Sequence, residues 1–142
     1  QSGEIELERI GTDSSGRAAI NVNKSLEEYS EYRDSVSVQQ IRGDELISQD
    51  VRPPDVMKLD VEGAEGFVLE GLQNMLENDI CRTIYFELHT PSESGQSIED
   101  YGFSEKEIIG MMEKTGYRIE VMSETKGNIR AKATKSPSTR LS

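Results

Sequence analysis

The chain is poor in residues that build covalent or metal-held structure. Its 142 residues include a single cysteine, Cys81, which excludes an internal disulfide and a cysteine-built zinc site. Cys81 follows Ile80 and precedes a β-rich run, the setting of a buried structural thiol. There is one histidine, so any imidazole chemistry falls on His89. No apolar run approaches the roughly 18 residues that cross a bilayer. The acidic opening, Gln1-Ser-Gly-Glu-Ile-Glu6, does not read as a signal peptide, so a cytoplasmic location with no membrane partner is expected. No Gly-x-Gly-x-x-Gly loop, Walker lysine, serine-nucleophile elbow or zincin pair occurs. The first residue is not methionine, which points to a processed chain or a piece of a longer one.

What is abundant is negative charge, −11 overall, and it is unevenly spread. All 27 acidic residues lie at or before Glu124, whereas Lys126, Arg130, Lys132, Lys135 and Arg140 follow with no acid among them. An acidic body lacks the basic stripe that phosphate contacts need, so no nucleic-acid partner is expected. The basic end reads as a solvated terminus. An apolar fraction of 34% is modest but sufficient for one folded domain.

Periodicity supplies the elements. Residues 4–10 alternate polar and apolar, and Ala18 to Val22 resumes strand character after a Gly11–Gly16 turn cluster, so the two predict a hairpin. Ser25-Leu-Glu-Glu28 is a capping box opening a short helix. Val36 to Ile41 reads as a strand, and Asp44 to Ser48 as a brief helix closed before Pro53-Pro54. Val56 to Val61 is a short buried strand. Val68, Leu69, Leu72, Met75 and Leu76 form one face of a helix over about 65–78. Thr83 to His89 is the next strand, and residues 90–102 make a long polar loop of the kind that often covers a site. Ser104 and Glu107 box the following helix, and Gly116 stops it. Tyr117 to Met122 and Ile129 to Ala133 make a terminal hairpin. The fold class is α/β, with the strands from Val56 onward mostly parallel and a C-terminal antiparallel hairpin.

The chemistry gathers at the end of the Val56–Val61 strand, where α/β sheets place ligands. Asp60, Glu62 and Glu65 lie there, interleaved with Gly63 and Gly66. Two readings stand on spacing alone: compensation of the next helix's N-terminal dipole, or catalysis. Asp-x-Glu is also a hard-cation donor pattern. His89 follows Glu87 by two at the end of the next strand, and period two sets both on one face. A histidine there suits a general base. Lys58 shares a face with Asp60 and is expected to pair with Glu87 on the neighbouring strand.

The segment Pro54-Asp-Val-Met-Lys-Leu-Asp-Val-Glu-Gly-Ala-Glu-Gly-Phe-Val-Leu-Glu-Gly71 resembles the signature of the FkbM-type methyltransferase family. Glu87-x-His89, the capped helix and Gly116-Tyr117 are similar too, as are Gly11–Gly16 and Val38 to Leu46, where Arg42-Gly43 before Asp44 is a departure. The resemblance covers most of residues 5–122. It implies part of a class I methyltransferase (Rossmann-like) sheet, with the matched block as its fourth strand. It implies methyl transfer from S-adenosylmethionine, an O-methylation of a sugar or other small metabolite. Asp60, Glu62 and His89 would carry catalysis, and Asp60 and Asp44 would contact the cofactor. Residues 1–125 would be a methyltransferase-like domain lacking its N-terminal βαβ unit, with 126–142 a last strand and basic, partly disordered tail. The family's glycine-rich loop and ribose-binding acid would lie upstream of Gln1. The isolated chain is therefore expected to be inactive, with a sheet edge exposed to that missing half or to self-association. Two further classes remain: a non-catalytic acidic assembly module, and a carboxylate-built divalent-metal site.

Overall fold

Polar and apolar side chains alternate along the strands Thr83–His89 and Asn128–Thr134 of the computed structural model, which describes residues 3–9, 18–20, 35–92 and 96–136. The chain divides into two compact units, Gln1–Ile41 and Arg42–Ser142. In the first, β1 (Gly3–Arg9) lies between β2 (Ala18–Ile20) and β3 (Ser35–Gln40), antiparallel to both. The expected hairpin is β1–β2, with Leu7 opposite Ile20. The third strand pairs on the other side, with Ile5 opposite Val38. The Gly11–Gly16 turn and the capped helix from Ser25 fall outside the described residues.

The second unit runs α1 (Gly43–Ser48), β4 (Val56–Leu59), α2 (Glu65–Gly71), α3 (Gln73–Glu77), β5 (Thr83–His89), a 3-10 turn (Ile98–Tyr101), α4 (Glu105–Lys114), β6 (Arg118–Thr125) and β7 (Asn128–Thr134). Its sheet order is β4-β5-β7-β6. β4 and β5 are parallel, and β7 is antiparallel to both β5 and β6, so β4, β5 and β6 share one direction. The mixed α/β architecture and its terminal hairpin are as expected. The placement of β7 is not that of an appendage, because it is an interior strand. Residue 125 is the last of β6, so residues 126–142 open on the turn into β7.

That insertion re-pairs the charges. Glu87 stands opposite Arg130, while Lys58 stands opposite Tyr85. The expected Lys58–Glu87 pair gives way to Arg130 Nε on Glu87 at 3.0 Å, with Asn128 on the same carboxylate. Lys132 lies 5.5 Å from the Tyr85 ring centroid. Lys135 is buried, donates to the Leu76 carbonyl and sits 4.7 Å from the Tyr117 ring centroid. Three residues of the expected solvated basic end are thus engaged with the sheet and helices.

The core covers one face of this sheet. Ile84, Phe86 and Leu88 of β5 lie opposite Ala133, Ala131 and Ile129 of β7, all buried. Leu69, Met75, Leu76, Ile108 and Met112 pack on them from the helices. Each large aliphatic side chain so buried contributes about 1.5–3 kcal/mol. Cys81 is buried as expected. The single helix expected over 65–78 is two, broken at Leu72, whose amide bonds back to Leu69 in a tightened last turn. Asp44 supplies the reason: its two carboxylate oxygens accept from the Asn74 and Met75 amides at 2.8 and 3.0 Å, capping a fresh helix start. In α4 the Ser104–Glu107 box is present. Gly116 (φ 93°) closes it, with Gly116 N–H on Glu113 and Tyr117 N–H on Met112. Among the described residues no helix is long and apolar enough to cross a membrane.

Glu87 gives the fold a titratable element. The Arg130 guanidinium bonded to it, with help from Asn128 and against the effect of burial, holds its carboxyl below the usual carboxylate range. A depressed folded pKa means stability present above the unfolded value of about 4.3 and lost as pH falls through the folded value. Glu87→Gln should therefore lower the melting temperature at pH 7, and its gap to wild type should close as the pH falls below about 4. Thermal melts of both proteins across that range measure it.

Candidate functional site

The polar centre lies at the carboxyl ends of the parallel pair β4 and β5. β4 ends at Leu59, and the chain turns sharply through Glu62 (φ 52°) and Gly63 (φ 98°) into α2. A left-handed backbone is cheap at Gly63 and costs about 1–2 kcal/mol at Glu62. Gly63 is doubly required, since a Cβ there would lie 2.9 Å from the Ser97 carbonyl carbon. Residues 97–101 of the loop thus pack on the turn itself, held by buried Ile98 and Tyr101 and by the Ser97–Asp100 capping box. Phe67 meets Tyr101 and Phe103 edge-on, with centroids 5.8 and 5.2 Å apart. Gly66 leaves the space that the Phe103 ring occupies.

Glu65 organises the turn. It is wholly buried, and its Oε1 accepts from the amides of Val61 (3.3 Å) and Gly63 (3.1 Å) and from His89 Nδ1 (2.8 Å). With Nδ1–H given to Glu65, neutral His89 presents an Nε2 lone pair. That atom lies 3.6 Å from Glu62 Oε2 and 3.9 Å from Asp60 Oδ1. The other oxygen of Asp60 accepts from Lys58 Nζ at 2.7 Å. The bond to Glu65 raises the His89 pKa first, burial works against it, and the charges of Glu65, Glu62 and Asp60 raise it further.

The structure therefore brings Asp60, Glu62 and His89 together, with one donor atom from each within 4.8 Å of the others. Asp44 is not among them, and both its oxygens are committed to α3. Spacing leaves Glu65 open between a first-turn dipole residue and catalysis, and does not pair it with His89. Its bond to His89 spans 24 residues and depends on β5 lying beside β4, which no local pattern reports. The available hint was compositional, a fourth acid-or-histidine position in a region with one imidazole.

A family model described as the methyltransferase FkbM domain matches residues 2–119, most of the chain and all of this centre. The chain belongs to the FkbM methyltransferase family. No curated protein and no solved structure gives a match. In this FkbM-family chain the matched region takes in nearly all of the first compact unit and the greater part of the second, and ends just inside β6.

Three substitutions separate architecture from chemistry. Glu62→Gly should stabilise the protein by about 1 kcal/mol by relieving the left-handed backbone, whereas Glu62→Ala should not. Asp44→Ala should cost about 1 kcal/mol through loss of the α3 cap. Urea unfolding of the three variants reads both effects.

Proposed function

We propose that this FkbM-family chain carries the acceptor end of an S-adenosylmethionine-dependent O-methyltransferase that acts on a hydroxyl of a sugar or other small metabolite. Family membership supports methyl transfer. The observation that carries the finer reading is the convergence of Asp60, Glu62 and His89 at the ends of adjacent parallel strands, with His89 fixed from behind by buried Glu65. The cationic sulfonium of the methyl donor suits a site rich in carboxylates.

S-adenosylmethionine would supply the methyl group, its S–CH3 bond breaking as the O–CH3 bond forms and its electron pair staying on sulfur. The chain's own residues hold the acceptor hydroxyl in line and take the proton it loses. Asp60 and Glu62 hydrogen-bond that hydroxyl or its neighbours, and His89 Nε2 faces the same space. Positioning is the larger contribution in such a displacement, so a sparse site is sufficient. Cofactor affinity is read as resting on a glycine-rich loop and a ribose-binding acid, neither matched by a motif in these 142 residues.

Calorimetric titration with S-adenosylhomocysteine tests this, using the chain alone and joined to whatever coding sequence precedes Gln1. Binding is expected only in the joined form, and Asp60→Asn should weaken it about tenfold. Micromolar binding by the chain alone would remove the dependence on a further segment. No binding in either form would overturn the methyltransferase reading.

A further inference from the structure

We propose that Asp60, Glu62 and His89 form a binding site for one divalent cation of the Mn2+ class, with Glu65 as its outer-shell carboxylate. Two independent observations carry it. The first is the donor set. Asp60 Oδ1, Glu62 Oε2 and His89 Nε2 converge, and the imidazole stands 3.9 and 3.6 Å from the two oxygens. Ligand atoms about 2.1 Å from one metal ion lie about 3–3.5 Å apart, so small side-chain shifts complete the site. Mixed imidazole and carboxylate donors suit Mn2+ and its neighbours better than Ca2+ or Mg2+.

The second is the buried group behind the histidine. Glu65 is 0% exposed, and its Oε2 has no hydrogen-bond partner among the described residues. Its Oε1 takes Nδ1–H and turns the Nε2 lone pair toward two carboxylates. Nε2 and the two carboxylates need positive charge among them, which either a proton on the imidazole or a cation held by all three supplies. A carboxylate–histidine pair directed at a donor cluster is the arrangement that fixes metal-bound imidazoles elsewhere in proteins. Lys58 does not supply this cation, because it lies on the other oxygen of Asp60 and its side chain is 72% exposed.

Three protein ligands leave coordination positions for oxygen atoms, and a hydroxylated acceptor supplies them. His89 Nε2 then serves as a ligand, and the cation is the group that meets the acceptor oxygen. This role rests on the methyl-transfer reading above, whereas the site itself does not.

The 142-residue chain should bind one Mn2+ ion, read by electron paramagnetic resonance of free Mn2+, and its melting temperature should rise with Mn2+ concentration. Because His89 is the only histidine, its ring protons give a single imidazole signal set. Substoichiometric Mn2+ should broaden that set first, a readout on the unmodified protein that no folding defect can mimic. Glu62→Gln and His89→Ala should weaken binding at least tenfold, and Glu65→Gln about 10–100-fold. Asp44→Asn should leave it unchanged. Absence of saturable binding, or wild-type affinity in Glu62→Gln and His89→Ala, would overturn the site and expose a diffuse acidic-surface effect. Tight Mn2+ binding without S-adenosylhomocysteine binding in any form would keep the site and remove the methyl-transfer role.

Discussion

A single buried carboxylate oxygen, Glu65 Oε1, holds together the segments that make the candidate site. It accepts from two amides of the turn after β4 and from the imidazole that ends β5. A buried carboxylate without such donors would cost several kcal/mol, so the bonds are a condition of its being there at all. They also explain the local sequence. The Glu62–Gly63 turn must curl back so that its amides reach Glu65, which requires left-handed backbone at both positions. Gly63 then has to lie flat against Ser97, and Gly66 has to leave room for Phe103. Each glycine answers a steric demand that begins with Glu65.

The sheet supplies the second constraint. Insertion of β7 between β5 and β6 gives β5 a hydrogen-bonded neighbour on each side, β4 parallel and β7 antiparallel. That holds β5, and the backbone that carries His89, from both sides. Its inward residues are all apolar and buried, while Tyr85 and Glu87 on the outward face take cationic partners from β7. The hairpin tip reinforces the same end, since the Thr90 amide, one residue past His89, donates to the Gly127 carbonyl at 3.0 Å. The polar face of the last strand is therefore part of the support for the site rather than a solvated tail.

The elements themselves were legible because their signals are local. The Ser104–Glu107 box, the Gly116 stop, the alternation of β5 and the apolar face of α2–α3 each need only a few adjacent residues. Clustering of Asp60, Glu62 and His89 could be anticipated for a related reason: parallel strands end on the same side, so residues at their carboxyl ends meet. What could not be read depends on which strand neighbours which. The Glu87–Arg130 pair lies 43 residues apart, the Asp44 cap 30, and the Glu65–His89 bond 24. None leaves a periodic trace. The helix break at Leu72 belongs to the same class, since an unbroken apolar face continues through it and only a distant carboxylate ends it.

The site's charge balance ties these strands of argument together. Asp60, Glu62 and Glu65 bring three carboxylates to one turn, and the Lys58 ammonium and the His89 imidazole are the partners the geometry gives them. Lys58 is largely exposed and screened, so it offsets little. Glu62 makes the imbalance sharper, because it adds an anion at the cost of a strained backbone where glycine would relieve both. A turn whose only purpose were to reverse the chain would relax at that position. Strain and like charge held together beside one fixed imidazole are instead what a site must tolerate when its counter-charge arrives with a ligand, whether a sulfonium, a divalent cation or both.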